Sequence, residues 1–166
     1  MAPTTQIRPA VPQDFVRMGE LGASLVATHH RFDPLRFLAP TEELAERYAN
    51  FLREKSQRAE AILLVAEVEG EVVGYAFSGV EGADYMALRG PAGVIYDLVV
   101  DEGHRRRGIG SALLGATFGE LQKRGVPRVV LFTAEKNEAA QHLFQEVGFR
   151  RTMIEMTAEL DAVSGR

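Results

Sequence analysis

The chain has 166 residues, of which 46% are hydrophobic and 25% are charged, a composition typical of one globular domain with a sizeable core. Its formal net charge of −4 argues against a general nucleic-acid-binding protein, which would usually be basic. The absence of cysteine excludes disulfides, thiolate metal ligands and a cysteine nucleophile, and no apolar run reaches the roughly 18 residues of a membrane helix. We therefore expect a single cytoplasmic domain over residues 1–166, without a membrane or nucleic-acid partner.

The N-terminal part of the chain predicts one strand and two helices. TQIRPA predicts a short strand, and apolar residues at helical spacing follow from Pro12 to Val26. The proline-bracketed segment HHRFDPLRFLAP predicts a loop over residues 29–40. Thr41 suits the N-cap of a second helix, because its hydroxyl can accept a hydrogen bond from a free backbone N–H. This helix is predicted to run to about Arg58.

The middle of the chain gives the clearest strand pattern. AILLVAEVEGEVVGYAFSGV predicts a hairpin with strands over 61–68 and 72–80, joined at Glu69-Gly70-Glu71. A glycine- and alanine-rich loop over 81–93 leads to VIYDLVV, a third strand over 94–100. A helix is then predicted over 109–124, because Gly125 and a proline two residues later form a typical C-terminal stop.

The C-terminal part predicts two more strands and one helix. RVVLFTA predicts a strand, and NEAAQHLFQEVGF predicts a helix that Asn137 caps and Gly148 ends. FRRTMIEMTAEL predicts a last strand or a strand pair. The resulting order, β-α-α-β-β-β-α-β-α-β, predicts an α/β (α+β) domain with a mixed sheet.

The stretch RRRGIGSALL, residues 105–114, joins three arginines and two glycines to the start of a predicted helix. Unpaired N–H groups and the positive end of the helix dipole make such a segment an anion site. A Walker phosphate loop is excluded because no lysine follows Gly110. A dinucleotide-dependent oxidoreductase fits poorly, because Leu113 stands where the fingerprint needs its third glycine and DEGHRRR separates the strand from Gly108. A solvated basic turn is the remaining alternative.

Arg105, Gly108 and Gly110 form an R-x-x-G-x-G pattern, which resembles the CoA-pyrophosphate motif of the GNAT superfamily of acetyl-CoA-dependent N-acetyltransferases. DLVVDEGHRRRGIGSALL looks like the strand–loop–helix unit of that family, and NEAAQHLFQEVGF resembles its N-x-x-A-x-x-[LF]-[YF]-x-x-x-G-F helix. The predicted element order is similar over nearly the whole chain. The resemblance implies a GNAT-like acyl-CoA N-acyltransferase fold. It also implies direct transfer of acetyl from acetyl-CoA to a primary amine of a small molecule or a peptide N-terminus.

The resemblance implies a CoA site built from three segments. The anion loop and the start of its helix would hold the phosphates, through Arg105, Arg106, Arg107, Gly108, Ile109, Gly110 and Ser111. The edge of the preceding strand would pair with the pantetheine amides, through Leu98, Val99 and Val100. Asn137 would contact the cofactor from the opposite side. As a plain helix N-cap it would have no such role, although the two roles are compatible.

Two residues bear on the chemistry. Asp97, within IYDLVV, resembles an acidic residue near the substrate of some polyamine and aminoglycoside acetyltransferases, and would bind the ammonium group or take its proton. The alternative is a strand aspartate bonded to loop amides. Phe144 departs from the family, because many members have tyrosine there as the general acid and phenylalanine has no proton to give. Phe144 would then be a wall of the cofactor site or a core residue. A non-catalytic acyl-CoA-binding or sensing module of the same fold is the alternative function.

The acceptor amine itself cannot be read from the sequence, although its pocket is expected in the loops 28–40 and 81–93. The candidate acceptor-binding residues are His29, His30, Phe32, Asp33, Tyr75, Tyr85 and Tyr96. The adjacent histidines lack the i, i+4 spacing that favours metal binding, so no metal site is expected. Without a cysteine to carry the acetyl group, we expect a ternary complex. A small-molecule or peptide amine is the expected partner, and a homodimer is left open.

Overall fold

A five-stranded mixed sheet forms the centre of the molecule, and the computed structural model describes residues 4–163. The strand order in the sheet follows the chain order, with antiparallel pairing from β1 to β4 and parallel pairing of β5 with β4. The strands are β1 (Thr5–Pro9), β2 (Ala61–Val68), β3 (Glu71–Glu81), β4 (Ala92–Val100) and β5 (Val129–Leu131).

Helices cover both faces of the sheet. Side chains of α1 and α2 form one apolar cluster with β2, β3 and β4, and side chains of α3 form a second cluster on the other face. A third cluster joins α4 to α3 and to the strands β4 and β5. The helices are α1 (Phe15–Phe32), α2 (Leu44–Lys55), α3 (Ile109–Lys123), α4 (Glu138–Glu146) and the short α5 (Leu160–Val163). The mixed α/β architecture predicted from the sequence is therefore confirmed.

The hairpin that the sequence predicts between β2 and β3 is present, with a turn one residue shorter than the predicted Glu69-Gly70-Glu71, because Glu71 pairs with Val68 in the sheet. Glu69 and Gly70 are the two turn residues, with φ of 52° and 87°. Two-residue hairpin turns of this kind need positive φ at both central positions, and their twist matches that of the flanking strands. The turn sets the register in which β3 lies between β2 and β4, and β3 thereby carries Tyr75 and Phe77 to the α1–α2 face.

Two glycines let α1 and α2 approach each other closely. A Cβ atom at Gly19 would lie 2.7 Å from the Cβ of Ala49, and a Cβ atom at Gly22 would overlap the ring of Tyr48. Any larger side chain would push the helices apart, because packed interiors leave no room for an extra methyl group. The close contact fixes Tyr48 over the sheet, where it reaches β4.

The structure corrects the predicted ends of the first two helices. The helix α1 continues through residues 29–32, which the sequence had placed in a loop, and ends two residues before Pro34. This end agrees with the steric exclusion of helical backbone from the residue before a proline. Thr41 is not the N-cap of α2, because Glu43 occupies that position and Thr41 instead accepts the Leu44 N–H through its backbone carbonyl.

The last predicted strand was wrong. Residues 150–159 form no strand, and their side chains are exposed. The sequence pattern alternates as a strand should, but a strand also needs a partner edge, and β5 covers only three residues instead of the predicted RVVLFTA. The segment is tied to the rest of the chain by ion pairs of Arg36 with Glu155 and of Arg151 with Glu135.

Candidate functional site

The loop before α3 ends in backbone conformations that favour glycine. Gly108, the N-cap residue of α3, has φ of 79°, and Arg106 has φ of 62° although it is not a glycine. No side chain of the described chain caps the start of this 15-residue helix. The N–H groups of its first turn, at Ile109, Gly110 and Ser111, therefore remain available to an anion.

Three arginines directly precede these N–H groups in the chain. Arg105, Arg106 and Arg107 are exposed, and within residues 4–163 none of them forms an ion pair with an acidic side chain. The guanidinium of Arg105 donates a 3.0 Å hydrogen bond from Nε to the carbonyl oxygen of Val100, at the end of β4. The anion loop thus carries uncompensated positive charge beside an uncapped helix N-terminus, and both features favour phosphate groups.

Asp101 anchors the start of the loop. Its carboxylate accepts a 3.0 Å hydrogen bond from Arg17 of α1 and lies 3.0 Å from Nδ1 of His104. The hydrogen bond with His104 has the largest effect and the contacts with Arg17 add to it, and together they hold the pKa of Asp101 below its usual range. The ion pair with Arg17 ties the start of the loop to α1.

The strand β4 is paired on one side over its whole length but on the other only at its beginning. The strand β5 pairs with Gly93, Val94 and Ile95, and no strand of the described chain pairs with residues 96–100 on that side. Residues 98–100 therefore form a sheet edge without a strand partner on that side, at which the Val100 carbonyl already accepts the Arg105 bond, and this edge leads to the anion loop. A ligand carrying amides can pair with such an edge.

A β-bulge interrupts β4 at Tyr96. In the pairing with β3, Phe77 is opposite Asp97 and Ser78 is opposite Ile95, so Tyr96 is the extra residue. A bulge bends its strand and re-aims the neighbouring side chains. Here it places Tyr96 and Asp97 on the α2 side, with the Tyr96 ring 4.7 Å from that of Phe77.

Asp97 is buried and bonded to two tyrosines. Its Oδ2 atom accepts hydrogen bonds from the hydroxyl of Tyr48 at 2.8 Å and from that of Tyr75 at 2.9 Å, and its exposed fraction is 8%. The bonding partners are phenols of α2 and β3, not the loop amides of the alternative interpretation. Tyr48 was absent from the candidates that the sequence provided, because nothing local links it to a residue 49 positions away.

Burial raises the pKa of Asp97 above the usual range of an aspartate. The hydrogen bonds from Tyr48 and Tyr75 and the electrostatic effect of His29 act in the opposite direction, and each is smaller. The same burial raises the pKa of both tyrosines, so these phenols stay protonated and remain donors to Asp97. A carboxylate with a raised pKa is a stronger base than an exposed one.

A cavity of about 340 Å³ opens beside Asp97. It lies between the C-terminal half of α2, the end of β3 and the bulge of β4. Its lining combines aromatic rings with charged side chains, and consists of Tyr48, Phe51, Lys55, Arg58, Glu60, Ala61, Phe77, Gly79, Glu81, Tyr96 and Asp97. The volume suits a small organic molecule.

Asn137 and Phe144, on the segment that resembles a cofactor-binding helix, have structural contacts. The Asn137 side chain caps α4 by accepting the Ala140 N–H at 3.3 Å. Phe144 is buried in the third apolar cluster with Ile95 and Leu114, and its ring lies 5.8 Å from that of Phe149. In the structure, Asn137 therefore caps α4 and Phe144 is a core residue.

The candidate acceptor residues at the end of α1 form a separate group. Nδ1 of His29 lies 2.8 Å from the Leu25 carbonyl oxygen, and the ring of His29 packs edge-on against Phe32 and Phe37. His30 contacts the carbonyl oxygen of Phe37. Asp33 accepts backbone N–H bonds from Leu35 and Arg36. None of these four candidates lines the cavity beside Asp97.

The three candidate tyrosines have different positions. Tyr75 is fully buried and bonds to Asp97, and Tyr96 lines the cavity while its hydroxyl donates to Glu81 at 2.6 Å. Tyr85 is 88% exposed in the loop between β3 and β4 and does not line the cavity. The structure thus brings two of the three together with Asp97.

Residues 4–163 contain neither a cluster of metal ligands nor a membrane-spanning helix. Within them, no group of three or more histidine or acidic side chains is arranged to hold a metal ion. None of the helices in that part of the chain has the length and apolar character needed to cross a bilayer.

Comparison with known proteins identifies the family. Residues 25–149 match the family model described as "Acetyltransferase (GNAT) family". The chain belongs to the GNAT acetyltransferase family. This finding confirms the resemblance that Arg105, Gly108 and Gly110 suggested, and the match runs from the second half of α1 to the end of α4, including the anion loop and the cavity beside Asp97.

Individual relatives of this GNAT chain differ in length and in the substrates that their names give. A mycothiol acetyltransferase of Thermobispora bispora is 36% identical over 96 residues, which cover 55% of this chain and 31% of the relative. An N-alpha-acetyltransferase of Sulfurisphaera tokodaii is 32% identical over 109 residues, covering 63% and 65%. The chain therefore spans between about a third and two thirds of the length of these relatives.

A solved structure supports the GNAT fold over almost the whole chain. A predicted acetyltransferase of Clostridium acetobutylicum, solved with acetyl-CoA, superposes with a TM-score of 0.73 at 14% identity and covers 96% of this chain and 98% of its own. Identity at this level shows a shared fold. The superposition extends the match beyond the segment that the family model covers.

Proposed function

We propose that this GNAT domain transfers an acetyl group from acetyl-CoA directly to a primary amine. The observation that carries the proposal is the continuity of three features along β4. The uncapped start of α3 with Arg105–Arg107 lies at one end, the unpaired edge over residues 96–100 follows, and the buried Asp97 lies on that same stretch. Phosphates, amides and an amine are the groups that these three features favour, in that order.

Acetyl-CoA supplies a thioester, whose carbonyl carbon forms a bond to the amine nitrogen while the carbon–sulfur bond breaks and the thiol leaves. The amine must first lose a proton, because its pKa of about 10 keeps it protonated at neutral pH. Asp97 is assigned to hold the ammonium group and to accept that proton. Tyr48 and Tyr75 orient the carboxylate through Oδ2.

Departure of the thiolate proceeds in this proposal without a tyrosine at position 144. The Phe144 ring is in the apolar core and has no ionisable group. A thiol with a pKa of about 8.5 is a sufficiently good leaving group to depart with water as the proton donor. Because the chain has no cysteine to carry the acetyl group, direct attack of the amine on the thioester is the route proposed here.

Product mass tests the proposal. The full chain is incubated with acetyl-CoA and a panel of amines, aminoglycosides, amino acids and peptides, and CoA release and an acceptor mass gain of one acetyl group are measured together. We expect both to appear with at least one amine, and no acetylated protein that passes its acetyl group on at the turnover rate. CoA binding without transfer to any acceptor would instead support the non-catalytic acyl-CoA-binding module.

A further inference from the structure

Four aromatic rings form a continuous wall of the cavity beside Asp97. Ring centroids lie 5.7 Å apart for Tyr48 and Phe51, 6.1 Å for Phe51 and Phe77, and 4.7 Å for Phe77 and Tyr96. All four side chains line the cavity. The faces of such rings attract cations and stack on flat apolar groups. This wall therefore favours a ligand with a flat apolar body and a positive charge.

The negative charge of Asp97 lies at the inner end of the wall without a cationic side chain bonded to it. Its hydrogen-bond partners are the neutral hydroxyls of Tyr48 and Tyr75. The other buried aspartate of the described chain, Asp14, instead forms an ion pair with Arg8 at 2.7 Å. A buried carboxylate that lacks such a pair favours a cation supplied by a ligand.

At the outer end of the cavity, one carboxylate already has a cationic partner. Glu81 forms an ion pair with Arg89 and accepts the Tyr96 hydroxyl hydrogen bond, so its charge is compensated within the protein. Lys55 and Arg58, two of the other charged lining residues, are cations on the α2 side, and Nζ of Lys55 lies 5.3 Å from the Phe51 ring centroid. Glu60, the remaining carboxylate of the lining, is exposed, so Asp97 is the buried lining carboxylate without a bonded cation.

We propose that the acceptor is a monocationic primary amine with an aromatic body, and that this cavity binds it. The ammonium group lies at Asp97 and the aromatic body lies against Phe51, Phe77 and Tyr96. This inference rests on the proposed function, because Asp97 is the group assigned there to the amine. The cavity volume of about 340 Å³ restricts the body to one or two rings.

Direct binding is tested with 2-phenylethylamine, in the absence and in the presence of CoA, by calorimetry on the full chain. The neutral control is 2-phenylethanol, which has the same ring and chain length. We expect saturable binding of the amine and binding of the alcohol at least about tenfold weaker, since only the amine compensates the Asp97 charge. Equal affinities, or no binding of the amine in either condition, would overturn the proposal. Tighter binding of L-phenylalanine would also overturn it, because Lys55 and Arg58 would then recognise a carboxylate.

Three variants test whether the amine binds in the cavity beside Asp97. Phe51→Ala removes a ring that is 41% exposed, so the core stays in place, and we expect amine affinity to fall about tenfold. Asp97→Asn is expected to abolish the preference for the amine over the alcohol. Phe132→Ala is the matched control, because Phe132 is an exposed aromatic residue that does not line the cavity. Unchanged affinity in Phe51→Ala, or an equal loss in Phe132→Ala, would contradict the assignment.

The outcomes of the binding test and of the turnover test are independent of each other. Binding with the expected variant pattern but without acetylated product would support the cavity assignment while refuting catalysis. Acetylation of 2-phenylethylamine at the same kcat/KM in wild type and Phe51→Ala would support the activity and overturn the cavity assignment.

Discussion

The hydroxyl of Tyr48 donates a 2.8 Å hydrogen bond to Oδ2 of Asp97, and so links the helix α2 to the bulged strand β4. The position of Tyr48 depends on Gly22 of α1, where any Cβ atom would overlap the tyrosine ring. A close contact between two helices thus orients the carboxylate that we assign to the acceptor amine.

Tyr48→Phe is expected to shift the pH profile of acetyl transfer. The Tyr48 hydrogen bond lowers the pKa of Asp97 against the larger effect of burial, so its loss raises that pKa further. A base with a higher pKa becomes deprotonated at a higher pH, and the acidic limb of kcat/KM should move upward. Steady-state kinetics against pH measure this. An unmoved limb would show that Asp97 is not the group that titrates.

Asp97→Asn is expected to stabilise the protein increasingly as the pH rises. Burial raises the pKa of Asp97 in the folded state above the unfolded value of about 4, so the folded state binds the proton more tightly. The wild type therefore loses stability as pH rises from the unfolded pKa through the folded pKa, whereas the amide does not titrate. Thermal unfolding of both proteins across this window measures the difference in Tm. A difference that shrinks with rising pH would mean that the folded state prefers the anion.

The local features of the fold could be predicted from the sequence, and the tertiary ones could not. The turn at Glu69-Gly70 and the start of α3 after Gly108 follow from backbone preferences within a few residues. The strand predicted over 149–160 failed because alternation gives a strand its face but does not supply a partner edge. β5 extends over only three residues.

The site was predictable to the same extent. The anion loop and Asp97 could be identified from short motifs and from the resemblance that they carry. Tyr48 could not, because its bond to Asp97 depends on how α2 packs against α1 at Gly19 and Gly22. The bulge at Tyr96 was also missed, since nothing in VIYDLVV distinguishes a bulged strand from a regular one.

Gly110→Val is expected to weaken CoA binding about tenfold or more, because its side chain would press against α4 and shift the first turn of α3, whose N–H groups form the anion site. A Cβ atom there already lies 3.1 Å from Cδ2 of Leu143. Gly115→Ala in the same helix is the matched control, because a Cβ atom there meets nothing within 4 Å. It should raise the free energy of unfolding by about 0.5–1 kcal/mol without changing CoA affinity. Calorimetric titration measures the affinity of each variant for CoA. Equal affinities of the two variants would place the anion site elsewhere.

Phe144→Tyr is expected to cost stability without raising the rate. The added hydroxyl would enter the apolar cluster of Ile95 and Leu114, and an unpaired hydroxyl there lowers the free energy of unfolding by about 1–3 kcal/mol. Phe132→Tyr is the control, because its ring is 79% exposed and the hydroxyl reaches water. Denaturant unfolding and kcat are measured together. A clear rise in kcat for Phe144→Tyr would show that position 144 does reach the leaving thiol.

The central claim, that Asp97 handles the acceptor amine of an acetyl transfer, is tested most directly by kcat/KM of wild type and Asp97→Asn, measured against pH together with the Kd for acetyl-CoA. We expect kcat/KM to fall about 10²-fold or more, since the variant loses both the charge and the base. The Kd for acetyl-CoA should hardly change, because the anion loop is untouched. A variant that retained wild-type kcat/KM and the same acidic limb would contradict the account and make Asp97 a structural residue.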